Sequence, residues 1–270
     1  MENIKFYNKA PELLEINGYK LVILPVNSKV TLIECILLGG FYFEKKENCG
    51  ISHLLEHIIT TAWKKCKLNG CNVYWEKYGI NSNAHTSIST NRYWIKGITD
   101  IFDKMLEYII EIIINPKFNE SVIEKEKKAV ENELNKYLNK QSWKLGDTLN
   151  KNLYTIEGMR YSEDKQQQLK ILKLLTKKKL VNHFKEYYTK NNILFIISSN
   201  LEKQLIINKF HKLTKSTKPI KLTNRVFEIK KPLCFQDKKK IIFVNNPTSK
   251  NTDIKICFPF NIYIGDKDQT

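Results

Sequence analysis

No stretch of this 270-residue chain approaches the ~20 consecutive apolar residues needed to cross a bilayer. The opening run, Met1 to Glu12, is polar and mixed, not an apolar leader, so the expectation is a cytoplasmic protein with no membrane segment. The longest oily stretch, Met105 to Ile114, is broken by Glu107 and Glu111 and reads as a helix with one face on a core. No C-x-x-C pair occurs among the six cysteines, which read as reduced thiols. Cys66 and Cys71 offer a loop clip or a metal pair, but two semi-buried thiols are the preferred reading. Acidic residues are few: 28 against 45 Lys and Arg, a net charge of +17. Such a balance invites polyanions. The lysines are nevertheless spread along the whole chain, among many Ile and Asn, as a drift towards A/T-rich codons would leave them. The densest runs, at Lys177–Lys179 and Lys238–Lys240, are not interleaved with stacking aromatics. No specific nucleic-acid partner is expected, and the lysines read as a solvated surface. At 42% hydrophobic the chain can bury a sizeable core, as one large domain or two small ones.

Histidine is also scarce, with five in all, yet two stand in the run Gly50-Ile-Ser-His-Leu-Leu-Glu-His-Ile-Ile59. On a helix His53 and His57, four apart, lie one above the other on the same face, with Glu56 beside them. The imidazoles can then share one metal ion. The H-x-x-E-H order is that of the zinc-peptidase helix reversed. Catalytic zinc takes three protein ligands and leaves a fourth position for water. The best candidate for the third lies in Ile123 to Leu134, where Glu126 and Glu133, seven apart, share a helix face. The plain alternative is two ordinary helix histidines and a charged face with Lys125, Lys127 and Lys128.

With these residues the sequence resembles the pitrilysin family of zinc peptidases, to which insulin-degrading enzyme and the mitochondrial processing peptidase belong. The resemblance runs in order over roughly residues 10 to 200. It takes in Leu14 to Ile23 with an Asn-Gly turn, and Gly39-Gly40 to Glu44 before the metal helix. It continues through Ser82-Asn-Ala-His-Thr-Ser87 with Thr90 to Tyr93, then Asn115-Pro-Lys-Phe118. It closes with Leu180 to Tyr188 and Asn192 to Ser198. It implies one Zn2+ per chain held by His53, His57 and Glu133. Glu56 is implied as general base and Glu126 as a carboxylate behind a ligand imidazole. Asn83 and Ala84 are implied to pair with an extended peptide by β-augmentation, and His85, where the family more often has an aromatic, is expected to contact substrate or serve the structure in preference to acting as a fourth ligand. Two departures stand out: Ile58 to Cys66 lacks the family's Phe- and Gly-containing stretch, and the chain stops at Thr270 where family members carry a further homologous domain.

Antiparallel strands interleaved with long helices argue α+β, a sheet with long helices packed on it, and the resemblance implies a LuxS/metallohydrolase-like domain. The expected division is a zinc-bearing peptidase domain at 1–218, a linker at 219–238, and the incomplete start of a second similar domain at 239–270. Strands are expected at Tyr19–Pro25, Val30–Leu38, Asn83–Thr90, Arg92–Thr99 and Ile193–Ser198, with two more at 240–245 and 253–259. Ser52 is expected to cap the metal helix, and Asn119 or Ser121 to start the helix that carries Glu126 and Glu133. His183 and His211 are given no role. The function expected is a zinc metalloendopeptidase acting on peptides or unfolded protein. The alternative is a zinc-binding but non-cleaving peptide-binding module that needs a partner chain or a missing C-terminal domain.

Overall fold

A computed structural model describes residues 11–65, 71–140, 143–218, 241–244, 254 and 256–257. The expected linker and most of the expected second-domain segment lie outside them; the described residues 241–244, 254 and 256–257 are not in strands, against the strands expected at 240–245 and 253–259.

Six strands form one sheet: β1 (Leu13–Ile16), β2 (Tyr19–Pro25), β3 (Val30–Leu38), β4 (Asn81–Thr86), β5 (Thr90–Ile98) and β6 (Ile193–Ser199). Their order across the sheet is β1-β2-β6-β3-β5-β4. β1 and β2 form a hairpin whose two turn residues, Asn17 and Gly18, sit at φ of 54° and 80°. That left-handed pair gives the turn a twist matching the flanking strands. Every neighbouring pair is antiparallel except β2 with β6, which run parallel from Lys20 opposite Leu194 to Pro25 opposite Ser199. β6 arrives only after most of the helices and inserts between β2 and β3, so it reaches β2 by a crossover, the connection that parallel pairing requires.

The helices are α1 (Ile51–Thr61), α2 (Cys71–Glu76), α3 (Phe102–Ile114), α4 (Glu120–Leu138), α5 (Trp143–Leu153), α6 (Glu157–Tyr161), α7 (Lys165–Leu172), α8 (Lys177–Tyr187) and α9 (Lys203–Ser216). α3 stops before Asn115-Pro116, where proline disfavours helix in the residue ahead of it. Asn119 is the residue that starts α4, as expected. The fold is α+β. Alternate strand residues Leu21, Ile33, Cys35, Tyr93, Ile95, Phe195 and Ile197 are buried on one sheet face. α3 lies against β3 and β5 there, and α1 against β4. Trp63 stacks on Trp75 with ring centroids 5.0 Å apart, and Tyr108 meets both edge-on, closing the core beyond the end of α1. Cys71 is disulfide-bonded, which corrects the expectation of reduced thiols at that position; its partner lies outside the described residues. Among the described residues no helix is long and apolar enough to cross a membrane.

Candidate metal centre

The placement of α1 begins with its apolar stripe. Leu54, Leu55, Ile58 and Ile59 are buried, which turns His53, Glu56 and His57 to the opposite, half-buried face. Its first turn is held from outside. Glu44 Oε2 accepts from Gly50 N–H at 2.7 Å, and Oε1 accepts from Ser52 N–H at 2.8 Å. Two of the unpaired amides at the helix start are thereby satisfied by one carboxylate. Ser52 is not the cap: it sits inside the first turn, buried, with Oγ 3.1 Å from His183 Nε2. Burial pushes the Glu44 carboxyl up to about 7, against the two amides that favour its ionised form. Burial also holds the His183 imidazole down at about 3, so it is neutral at ordinary pH. The loop bearing Glu44 is clamped by close backbone approach. A Cβ on Gly158 of α6 would lie 2.0 Å from the Phe41 carbonyl oxygen, and one on Gly40 would lie 2.2 Å from that of Ser87.

α4 packs across α1 with Ile123, Val130 and Leu134 buried, and Glu126 is buried on the same stripe. Glu133, beside Leu134, faces the imidazoles. Its Oε2 is 3.6 Å from His53 Nε2 and 3.6 Å from His57 Nε2. The two rings are perpendicular, with centroids 4.9 Å apart. One ligand atom from each of His53, His57 and Glu133 lies within 4.8 Å of the others. Glu126 Oε2 is 3.4 Å from His57 Nδ1, on the side away from Glu133. Four of the five residues picked out along the chain, His53, His57, Glu126 and Glu133, therefore converge.

The donor set suits zinc. Two imidazoles and one carboxylate are a known three-ligand catalytic set, and metal–ligand bonds of about 2.05 Å set tetrahedral ligand atoms about 3.3 Å apart. The 3.6 Å contacts are too long for good hydrogen bonds and close to that edge. A carboxylate on the far nitrogen of a ligating histidine is the usual device for fixing its tautomer.

In the polypeptide alone, burial, and then the neighbouring His57, hold His53 down at about 4. Burial works against a charged His57 as well, but its contacts with Glu126 and Glu133 outweigh that and raise it to about 9. The His57 contact lowers Glu133 below the usual carboxylate range. Burial raises Glu56 above it, partly opposed by a hydrogen bond that the Thr86 hydroxyl donates to Glu56 Oε2 at 2.6 Å. Asn91 Nδ2 donates in turn to Thr86 Oγ1 at 2.7 Å. Neither Thr86 nor Asn91 was nominated from the sequence.

Asn83, Ala84 and His85 lie on β4, the edge strand next to α1. Ser87 N–H donates to Thr90 O at 2.8 Å, so the bonded pairs of this ladder are Asn83 with Trp94 and His85 with Arg92. Ala84 and Thr86 therefore turn their main-chain groups towards the open edge. Asn83 Oδ1 accepts from Ala84 N–H at 2.9 Å. Asn83 and His85 are exposed, while Ala84 is buried against the helix layer. His85 is close enough to His53 and Glu56 to bear on their charge.

The sequence matches the family model described as Insulinase (Peptidase family M16) over residues 25–163, more than half of the chain. It is 27% identical over 162 residues to an uncharacterized zinc protease of Bacillus subtilis, YmfH, covering 59% of this chain and 36% of that protein. It is 33% identical over 119 residues to the zinc protease PqqE of Helicobacter pylori, covering 43% of this chain and 27% of that one. It is 23% identical over 190 residues to a probable mitochondrial-processing peptidase subunit beta of Arabidopsis thaliana, covering 70% and 35%. The chain thus spans about a third of the length of these relatives. Its fold is similar to the crystal structure of a protease from Helicobacter pylori, with a TM-score of 0.69 and 20% identity, over 84% of this chain and 54% of that one. It is equally close, at TM-score 0.69 and 12% identity, to the peptidase M16 inactive domain from Pseudomonas fluorescens.

Proposed function

Since the chain belongs to the insulinase family, peptidase family M16, we propose that it is the zinc-bearing part of a metalloendopeptidase that hydrolyses peptides or unfolded segments of protein. The observation that carries this reading is the approach of Glu133, from a separate helix, to both imidazoles of α1 at the same 3.6 Å. His53 and His57 would hold the ion through Nε2, and Glu133 through a carboxylate oxygen. Such an ion supplies a Lewis acid for the scissile carbonyl and lowers the pKa of a bound water towards ~7. Glu126 keeps the His57 ring turned so that Nε2 points at Glu133. Glu56 takes the proton of the attacking water and returns it to the departing nitrogen; burial raises its proton affinity towards the working pH, which favours both transfers. Ala84 and Thr86 offer main-chain groups to an extended peptide, which would displace the Asn83 side chain from the Ala84 amide. His85, exposed beside them, would meet the side chains of that peptide.

Replacing Glu56 with Gln is the test. Hydrolysis of a quenched fluorescent peptide should fall to background while zinc stays bound; undiminished turnover would reject Glu56 as the base. The chain spans 27–36% of the three relatives; in a second reading it binds zinc and peptide but cleaves only with a further domain or partner chain. Cleavage by the isolated monomeric chain would exclude that second reading.

A further inference from the structure

We infer that Thr86, backed by Asn91, is the positioning residue that aims the Glu56 carboxylate; the inference rests on reading Glu56 as the base. The Thr86 hydroxyl has a single proton to give. Asn91 Nδ2, which can only donate, points at the same oxygen from 2.7 Å. The Thr86 proton is therefore committed to Glu56 Oε2, 2.6 Å away. Both supporting residues are buried, Asn91 at 1% exposure and Thr86 at 8%, so water does not compete for the pair. The arrangement is rigid by construction. Thr86 and Asn91 sit opposite each other in the β4–β5 ladder, and the hairpin between them is closed by the Ser87 and Thr90 backbone and hydroxyls. Asn91 also uses space that only a glycine leaves free, since a Cβ at Gly39 would stand 2.9 Å from Asn91 Oδ1.

With Oε2 held, proton transfer falls to Oε1, whose direction is set by the same bond. Thr86 follows Ala84 by two on β4, so the strand proposed to take up peptide is also the strand that orients the base. Binding and proton transfer are thereby registered to one element, which matters because misplacement of a reacting group by about 1 Å can lower a rate a hundredfold.

The test compares Thr86→Val, which keeps the shape and removes the hydroxyl, with Thr86→Ser, which restores it. In crystals of Thr86→Val the Glu56 carboxylate should leave its position or split between rotamers, and in Thr86→Ser it should stay. Zinc content should match the parent in both variants, and the melting temperature should fall by several degrees in Thr86→Val, which leaves Asn91 Nδ2 without its acceptor, but not in Thr86→Ser. In peptide hydrolysis, kcat of Thr86→Val should fall roughly ten- to hundredfold with KM within about twofold, and Thr86→Ser should recover most of it. An unmoved Glu56 carboxylate in Thr86→Val, or equal kcat for the two variants, would overturn the inference. Thr86→Ala is read in the same way should the valine protein not fold. The crystallographic reading does not need turnover, so it separates failure of this inference from failure of the peptidase reading.

Discussion

Replacing Glu126 with Gln removes one charge and little volume from the back of His57, and two opposed effects follow. The first weakens zinc. Glu126 Oε2 lies 3.4 Å from His57 Nδ1, with its side chain 10% exposed. Unit charges at that distance attract by about 5 kcal/mol at an effective dielectric near 20. That is an upper bound, because the buried pair also loses hydration. Removing such a partner lowers metal affinity about ten- to hundredfold, or roughly 1.4 to 2.7 kcal/mol. The second effect strengthens zinc. The same carboxylate helps raise His57 to about 9, so at neutral pH the metal must displace a proton. The sign is that of a raised pKa: competition is strong below about 9 and gone well above it. At about pH 7 it is worth roughly two pH units, about 2.7 kcal/mol, against the parent. Gln removes part of that proton affinity together with part of the metal affinity. The loss on Glu126→Gln should therefore be about ten- to hundredfold near pH 9 and shrink to a few-fold near pH 7. Competition with a chromogenic chelator of known zinc affinity, run at both pH values, measures it. Equal losses at the two pH values would refute the proton argument. No loss near pH 9 would refute any part for Glu126 in holding the metal site.

Two predictions concern stability. His183 is buried with its pKa lowered to about 3, so its contribution is full above about 6.5 and lost as pH falls towards 3. Denaturant unfolding should show the parent losing roughly 2 kcal/mol more than His183→Gln between about pH 7 and pH 5, and parallel pH profiles would contradict the neutral assignment. Gly146 and Gly158 both lie in helices but should respond oppositely to alanine. At Gly146 the nearest atom to a new Cβ is 3.9 Å away, a side-chain carbon of Glu163, so Ala should stabilise by about 0.5 to 1 kcal/mol. At Gly158 three backbone oxygens lie within 2.9 Å of that Cβ, so Ala should cost about 3 kcal/mol or more and loosen the Glu44 loop. Similar thermal melts for the two variants would refute the packing argument.

What the chain discloses on inspection depends on the range of the interaction concerned. His53 and His57 are readable because a helix converts a spacing of four into adjacency, and Glu126 with Glu133 because two turns do the same. That the two pairs would meet is a tertiary fact, supplied here by the buried stripes of α1 and α4, whose periodicity is legible but whose partner is not. The start of α4 falls at Asn119, one of the two residues expected, although the Asn119 side chain makes no capping hydrogen bond. The start of α1 is not local. Ser52 has the residue type of a cap, yet the carboxylate that holds the first turn comes from Glu44, across a loop fixed by glycine-to-carbonyl approaches at Gly40 and Gly158. A lone glutamate in a mixed loop carries no signal of burial, because acidic side chains are rarely buried without partners and the partners here are backbone amides. The parallel pairing of β2 with β6 joins segments about 170 residues apart, and the in–out alternation of a strand does not say which way its neighbour runs. α5 and α6 are hard to read from the sequence for a different reason: Gly146, Asn150 and Asn152 dilute the helical pattern over Trp143 to Tyr161. Thr86 is the sharpest case. It stands one residue from the nominated His85 and looks like any strand threonine, and only the strand alternation that buries it against α1 brings its hydroxyl to Glu56. The residues whose charges and lone pairs cluster between α1 and α4 are thus visible as types and spacings. The residues that aim them are not, because their roles are set by where the sheet edge and the helix face come together.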